Sequence, residues 1–372
     1  VIRAKIAADR RTQRGLVRLT VPQSRSQKMK KLLPKAMLAV SLAGVVGLVQ
    51  AQEVTLKIHH FVSPTTFIQT GVFEPWCAKL TKQSGNRIKC QIYPAMQLGG
   101  TPPQLYDQAK DGVADIIWTI AGYSANRFPM TEVFELPFMM TNAEATSRAA
   151  WDFYQTYSKH EFKDTHLLAV HVHGPGTLFT TKKPINTMAD FKGMKLRAPT
   201  RLTSKMLGML GATPVGMPVP AVAEAMSKGV IDGAVLPYQV VPSIKVNELA
   251  KFAAETDPKY NALYTAVFIM AMNKAKYESL SPELKKVIDD NSGLELSAFA
   301  GKTQEADDAP GRDKVKASGV AINVIPAAEL DKWKNATDTL DDEWAANITK
   351  LGHDGPKTLQ AARELVKKYT RK

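Results

Sequence analysis

The sequence predicts an α/β protein of two lobes, each built on a mixed, mostly parallel sheet flanked by helices. Three observations predict it. Short β-branched strands alternate with amphipathic helices from Gln52 onward, the pattern of parallel sheets covered by crossover helices. A second series of the same kind begins near Gly174. The chain has 372 residues and 44% apolar content, enough for two cores at about 100–200 residues per domain. Charged residues at 23%, with 23 Gly and 22 Pro, are ordinary globular values and exclude collagen-like, coiled-coil and wholly disordered chains.

In the first series, residues 54–61, 87–93, 115–120 and 166–173 read as strands bounded by turns. Residues 65–84, 101–111 and 142–163 carry apolar side chains at three- and four-residue spacing and read as helices. The helix at 101 has a full start signal, with Thr101 as N-cap, Pro102 at the first helical position and Gln104 closing a capping box. In the second series, 178–182, 194–198, 212–215 and 233–238 read as strands, with helices around 203–210 and 221–228. A strongly apolar strand follows at 264–272. After it the chain is mostly helical apart from a strand at 320–325, and Ser281-Pro282-Glu283 opens one helix with a hydroxyl cap and an acidic first turn. No internal repeat or low-complexity linker interrupts this order.

The formal net charge of +14 would ordinarily suggest nucleic acid or an anionic membrane surface. Its distribution argues otherwise. Residues 1–51 hold eleven Lys/Arg and only Asp9, so removing them from 49 basic and 35 acidic side chains leaves 38 against 34. Met29-Lys30-Lys31 with Lys35 forms a cationic start, 36–49 is an apolar run broken only by Ser41, and Val49-Gln50-Ala51 offers small residues for cleavage after Ala51. Residues 29–51 are therefore expected to be a signal peptide and the mature protein periplasmic. The run is too short for the roughly 20 residues of a spanning helix. Residues 1–28 are expected to be a non-native or disordered leader. The two cysteines, Cys77 and Cys90, form an isolated even pair on a helix and the next strand; a disulfide is expected in an oxidising compartment, two free thiols being the alternative.

Enzyme motifs are missing: there is no GxSxG elbow, no GxGxxG after a strand, no Walker loop, no HExxH and no CxxC. A binding protein without cofactor, rather than an enzyme, is the expectation. His171 and His173 would share a strand face, yet no partner at ligand spacing follows, so a structural or pocket-lining role is preferred to a metal site. Basic pairs such as Lys285-Lys286 and Lys367-Lys368 have acids nearby and read as solvated faces, so nucleic acid is not an expected partner. The sharpest signal is Arg197, at the end of an otherwise apolar strand and just before Pro199, where α/β sheets hold ligands beyond their strand ends. A guanidinium there can clamp a carboxylate with two parallel hydrogen bonds. A solvated arginine paired with a local acid is the competing reading.

Several segments occur in one order: Ile92-Tyr93-Pro94 to Leu98-Gly99-Gly100, Phe134-Glu135-Leu136-Pro137-Phe138, Gly193-Met194-Lys195-Leu196-Arg197, Leu210-Gly211-Ala212-Thr213-Pro214, Gly229-Val230-Ile231-Asp232-Gly233 and Met272-Asn273-Lys274. With the signal peptide they resemble the periplasmic solute-binding subunit of tripartite ATP-independent periplasmic (TRAP) transporters, the dicarboxylate-binding-protein-like family, over essentially all of 52–372. The resemblance implies a two-lobed periplasmic binding protein fold with a ligand cleft between the lobes. It also implies a small organic acid as ligand, membrane subunits of the transporter as partners, and Arg197 at the carboxylate-binding position. Lobe I is expected to hold 52–173, about 265–305 and the C-terminal helix; lobe II, 174–264 and about 306–345. The mature chain itself is not expected in the membrane.

Two departures bear on the ligand. Many members continue the Asp-Gly motif to Glu-Asn-Pro with the Asn facing the ligand, whereas Leu236 stands there in this chain. Sialic-acid binders have a further arginine where this chain has Gly174-Pro175-Gly176-Thr177. A pocket without these groups should reject polyhydroxylated and dianionic ligands, whose polar atoms would be buried unpaired. The expected ligand is a monocarboxylate with an apolar or aromatic, benzoate-like body. A 2-oxo or sugar acid is the alternative within the family, and an exported enzyme acting on organic acids or a metal carrier using His171 and His173 are the alternatives outside it. Trp118, Tyr123, Phe128, Tyr238 and Tyr264 are candidate cleft walls, Tyr123 and Tyr238 preferred for their hydroxyls, with His173 a further candidate beside the Gly-Pro-Gly turn.

Overall fold

A computed structural model describes residues 53–371. The expected leader and signal peptide, with the cleavage site after Ala51, lie outside the described residues. The first stretch runs β1 (Val54–His60), α1 (Glu74–Gln83), β2 (Ile88–Tyr93), α2 (Leu105–Lys110), β3 (Ile116–Ile120), α3 (Ala143–Phe153) and β4 (Thr165–Val172). The second runs β5 (Thr177–Thr180), β6 (Lys195–Ala198), α4 (Arg201–Met209), β7 (Thr213–Gly216), α5 (Val222–Ser227), β8 (Gly233–Leu236), α6 (Val246–Leu249) and β9 (Phe252–Thr256). The chain then continues through β10 (Val267–Asn273), α7 (Lys274–Glu278), α8 (Pro282–Asp289), α9 (Leu294–Ala306), α10 (Asp308–Ala317), β11 (Ala321–Ile325), α11 (Ala327–Thr337), α12 (Thr339–Lys350) and α13 (Gly355–Thr370).

Two sheets result, one of five strands in the order β2-β1-β3-β10-β4 and one of six in the order β11-β9-β5-β8-β6-β7. In the first, β1 is parallel to β2 and β3, and β10 enters antiparallel to both β3 and β4. In the second, β6 is parallel to β7 and β8, β9 to β11, and β5 is antiparallel to β8 and β9. The intruding strand of each sheet is reached by a crossing from the other lobe: β5 follows β4, and β10 follows β9. Both crossings therefore pass between the sheets, and both border the site described below. Strand β10 is buried along its whole length, as a strand covered by helices on both sides must be.

Local chemistry explains most boundaries. Thr101 and Gln104 form the expected capping box, and Asn142 accepts the N–H of Ala145 at 2.8 Å to start α3. The expected strand at 233–238 stops at Leu236, because Pro237 has no N–H for the ladder and a short 3-10 turn follows over Tyr238–Val240. The expected helix at 65–84 is a π-helical turn, Ile68–Phe73, leading into α1, and that at 142–163 gives way after Phe153 to π and 3-10 turns. Strand β9 escapes sequence reading. Its Phe-Ala-Ala-Glu-Thr run has weak strand propensity, and its conformation comes from pairing with β5 and β11 on either side.

Cys77 on α1 and Cys90 on β2 are joined in a disulfide with Cα atoms 5.9 Å apart. The bridge ties the edge strand of the first sheet to the helix that covers it. A loop of this size is worth about 3 kcal/mol in the chain-entropy account. A Cys77→Ala/Cys90→Ala double variant should therefore melt several degrees below the parent in a calorimetric scan under oxidising conditions. The two proteins should melt together once the parent is reduced, and an unshifted melt would show that the bridge carries no stability.

Candidate ligand-binding site

Arg197 sits at the carboxyl end of β6, flanked by Val215 on β7 and Ala234 on β8, and is fully buried. A guanidinium is charged at all working pH values, so its burial demands acceptors. Its Nε donates to the Met217 carbonyl at 2.9 Å, Nη1 to the Val235 carbonyl at 3.1 Å and Nη2 to the Tyr123 hydroxyl at 3.3 Å. These partners are all neutral. No carboxylate among the described residues forms an ion pair with Arg197, and the Tyr264 hydroxyl is a further neutral partner of the guanidinium. The Tyr123 hydroxyl also accepts the backbone N–H of Val219 at 2.9 Å, which leaves its own O–H free to donate. Tyr123 belongs to the turn after β3 while Arg197 and Val219 belong to the other lobe, so one hydroxyl straps the lobes together.

Arg197 faces a small cavity whose walls come from both lobes: Phe61, Trp118 and Phe268 from the first sheet and its loops, Leu236 and Val240 from the second. The aromatic wall is ordered. Trp118 stacks between Phe61 and Phe268 with ring centroids at 5.1 and 4.6 Å and interplanar angles of 11° and 10°. The Trp118 N–H donates to His171 Nε2 at 2.8 Å, so it presents no free donor. His173 also lines the cavity, but its nitrogens are spent. Nδ1 bonds the Gly174 carbonyl at 2.5 Å and Nε2 accepts the N–H of Ala266 at 3.0 Å, which makes it the Nδ1–H tautomer. Burial lowers its pKa to about 3.

Two glycines make these approaches possible. A Cβ on Gly176 would lie 1.9 Å from the Tyr264 ring, so the Gly-Pro-Gly turn provides the space that Tyr264 fills at the cavity wall. A Cβ on Gly122 would lie 2.5 Å from the Thr200 side chain, so the bare backbone of Gly122 lets the lobes close beside Arg197.

Of the residues singled out from sequence, Arg197, Trp118, His173, Leu236 and Tyr264 converge on the one cavity, and Tyr123 joins them through its bond to Arg197. Tyr238 does not. The turn after Pro237 carries its ring against Phe179 of β5 at 5.3 Å, with its hydroxyl beside the Glu255 and Arg312 pair inside lobe II. Phe128 stacks on Phe162 at 4.7 Å in the core of lobe I. His171 is equally internal, held by Trp118. Sequence reading missed Phe61, Phe67 and Phe268, which share the apolar pattern of ordinary core residues. It also missed Gln239 and Gln304, two amides on the cavity wall.

Below the cavity the lobes meet through charge. Arg201 on α4 pairs with Glu132 from the turn before α3, and Glu135, one turn further on, accepts the N–H of Val267 at 2.9 Å. Burial, reinforced by Glu132, pushes the Glu135 carboxyl up to about 8 from 4.5. Such an acid keeps its proton in the folded chain after the unfolded chain has lost it, so stability drains away as pH rises from about 4.5 to about 8. Glu135→Gln keeps the carbonyl acceptor and removes the titration. It should melt above the parent at pH 8 and level with it at pH 4, and a constant difference across that range would show that Glu135 does not titrate in this way.

Comparison with known proteins agrees with this geometry. Residues 58–347 match the model of the bacterial extracellular solute-binding protein family 7. A TRAP solute-binding protein from Rhodoferax ferrireducens T118, solved with copurified benzoate, is 54% identical with a TM-score of 0.84, over 86% of this chain and 99% of that one. A marine metagenome TRAP solute-binding protein specific for aromatic acids, solved with 3-hydroxybenzoate, is 47% identical with a TM-score of 0.83 over the same 86% and 99%. A third, from Bordetella bronchiseptica with bound (R)- and (S)-mandelate, is 27% identical with a TM-score of 0.79, over 85% and 99%. Two lobes meeting over a buried, uncompensated arginine, and a family match spanning most of the chain, make this protein a member of the bacterial extracellular solute-binding protein family 7.

Proposed function

We propose that this chain is the extracytoplasmic solute-binding subunit of a TRAP transporter and that its ligand is a small aromatic monocarboxylate, held by Arg197 and delivered to membrane subunits. The observation that carries the reading is the buried Arg197 guanidinium with only neutral partners, facing a cavity walled by Trp118, Phe61, Phe268, Tyr264 and Leu236. A single carboxylate satisfies the charge, and a flat ring matches the walls. Closure of the lobes removes water and strengthens the pair. Sugar acids would bury hydroxyls against Leu236 and the aromatic stack with few partners, and a dicarboxylate would bring a second charge with no cation to meet it.

The relatives solved with benzoate, 3-hydroxybenzoate and mandelate share this ligand class. The basic start and apolar run of 29–51 supply export, with cleavage after Ala51 releasing the binding protein. Among the described residues no helix is long and apolar enough to cross a membrane. Of the ring nitrogens that a metal carrier would use, both of His173 and Nε2 of His171 are held in hydrogen bonds.

Residues 52–372, unfolded and refolded to remove copurified ligand, should melt higher with benzoate-type acids and not with sugar acids or C4 dicarboxylates. A ligand at a hundred times its Kd adds about 2.7 kcal/mol. Arg197→Ala should weaken the binding measured by calorimetry about thirtyfold to a few thousandfold, the range for truncating one partner of a buried charge pair. Tyr123→Phe, which takes one acceptor from Arg197 and one from Val219, should cost about tenfold. A sugar acid or dicarboxylate as the tightest ligand, or unchanged affinity in Arg197→Ala, would overturn the assignment.

A further inference from the structure

The cavity has a second polar feature that the carboxylate clamp leaves unused. Gln304, near the end of α9, is fully buried and lines the same cavity as Arg197, and neither its amide oxygen nor its amide nitrogen has a hydrogen-bond partner among the described residues. From the other lobe Gln239 lines the cavity too, its Oε1 likewise buried and without a partner. Natural proteins pair nearly all their buried amides, so an orphan of this kind calls for a partner from outside the chain. Helix α9 holds Gln304 in place. Ser297 accepts the N–H of Val170 at 3.0 Å and Glu305 accepts the N–H of Ala143 at 2.8 Å, pinning the helix to β4 and α3 on both sides of Gln304. Its position continues the buried stripe Ser297, Gly301, Gln304, spaced four and three residues apart, where an apolar side chain would otherwise pack.

We propose that Gln304 reads a hydroxyl on the ring of the ligand, so that the protein prefers a hydroxyl-substituted aromatic monocarboxylate to the unsubstituted acid. This rests on the aromatic-acid reading above. An amide offers one acceptor and one donor group, and a phenolic hydroxyl is both donor and acceptor, so the two satisfy each other. A methyl or chloro group offers neither, and a second carboxylate would offer only acceptors and bring in a charge. A site built around a hydroxyl rejects analogues lacking it far more strongly than an apolar wall rejects an added methyl. Arg197 on one lobe and Gln304 on the other would then hold opposite polar groups of one ligand, with Gln239 as a second acceptor.

Isothermal titration of refolded 52–372 with benzoate, 3-hydroxybenzoate, 4-hydroxybenzoate and the two corresponding methylbenzoates tests this. At least one hydroxybenzoate should bind ten times or more tighter than benzoate and than its methyl isostere, a comparison that needs no variant. In Gln304→Met that preference should fall to about one, and the ligand-free variant should melt no lower than the parent. Equal binding of hydroxyl and methyl isosteres, or a preference that survives in Gln304→Met, overturns the role of Gln304 while leaving the aromatic-acid reading intact. If no aromatic acid binds the parent while another class does, both fall together.

Discussion

The structure depends on one expensive act, the burial of the Arg197 guanidinium with no ion-paired carboxylate among the described residues. Water gives up a cation of this kind only for a dense set of oriented acceptors. The fold supplies them as the carbonyls of Met217 and Val235 and the hydroxyls of Tyr123 and Tyr264. The carbonyls come from loops and strands adjoining β6, so their positions follow from the parallel register of β6, β7 and β8. Solvation by neutral dipoles keeps the arginine tolerable without neutralising it. The charge stays available to an anion, and a built-in Asp or Glu partner would have cancelled that availability.

The same interaction joins lobe geometry to ligand affinity. Tyr123 comes from the lobe that does not carry Arg197, and its hydroxyl serves Arg197 and Val219 together. Orientation of the cation is thereby tied to the approach of the lobes, which Gly122 and Gly176 permit by leaving room for Thr200 and Tyr264. The aromatic stack beside it holds Phe61, Trp118 and Phe268 nearly parallel, with Trp118 anchored to His171. A wall packed in this way loses little conformational entropy on binding. Charge at one end and flat apolar surface beside it give the cavity two unlike halves, on a scaffold whose family relatives bind several kinds of solute.

Much of this was legible before the structure. Arg197 stood out because an arginine closing an apolar strand breaks the strand's own pattern. Leu236 stood out because the family's motif places a polar residue there. Gly174-Pro175-Gly176 marks a close turn of backbone, though not that the ring of Tyr264, 88 positions on, fills the space beside it. Tyr238 lies off the cavity, and a hydroxyl after a strand end looks the same in sequence whichever way the next turn carries it. The turn after Pro237 carried it into lobe II. Phe61 and Phe268 were indistinguishable from core aromatics, since the periodicity that buries a side chain is the same whether it faces another helix or a cleft.

By itself, the sequence determined the class of fold, the export leader as an expectation, most of the order of strands and helices apart from β9, and, with the family resemblance, Arg197 as the candidate cation. These are properties of local pattern: period, caps, turn residues and a charge out of place. Tertiary structure alone decided which side chains share the cavity, because that requires strands far apart in sequence to become neighbours in a sheet. It alone paired β9, whose propensity is poor, and turned Tyr238 away. It alone left Gln304 on the wall without a partner: a glutamine on a helical stripe is unremarkable until the packing of α9 against β4 and α3 fixes where its amide must go.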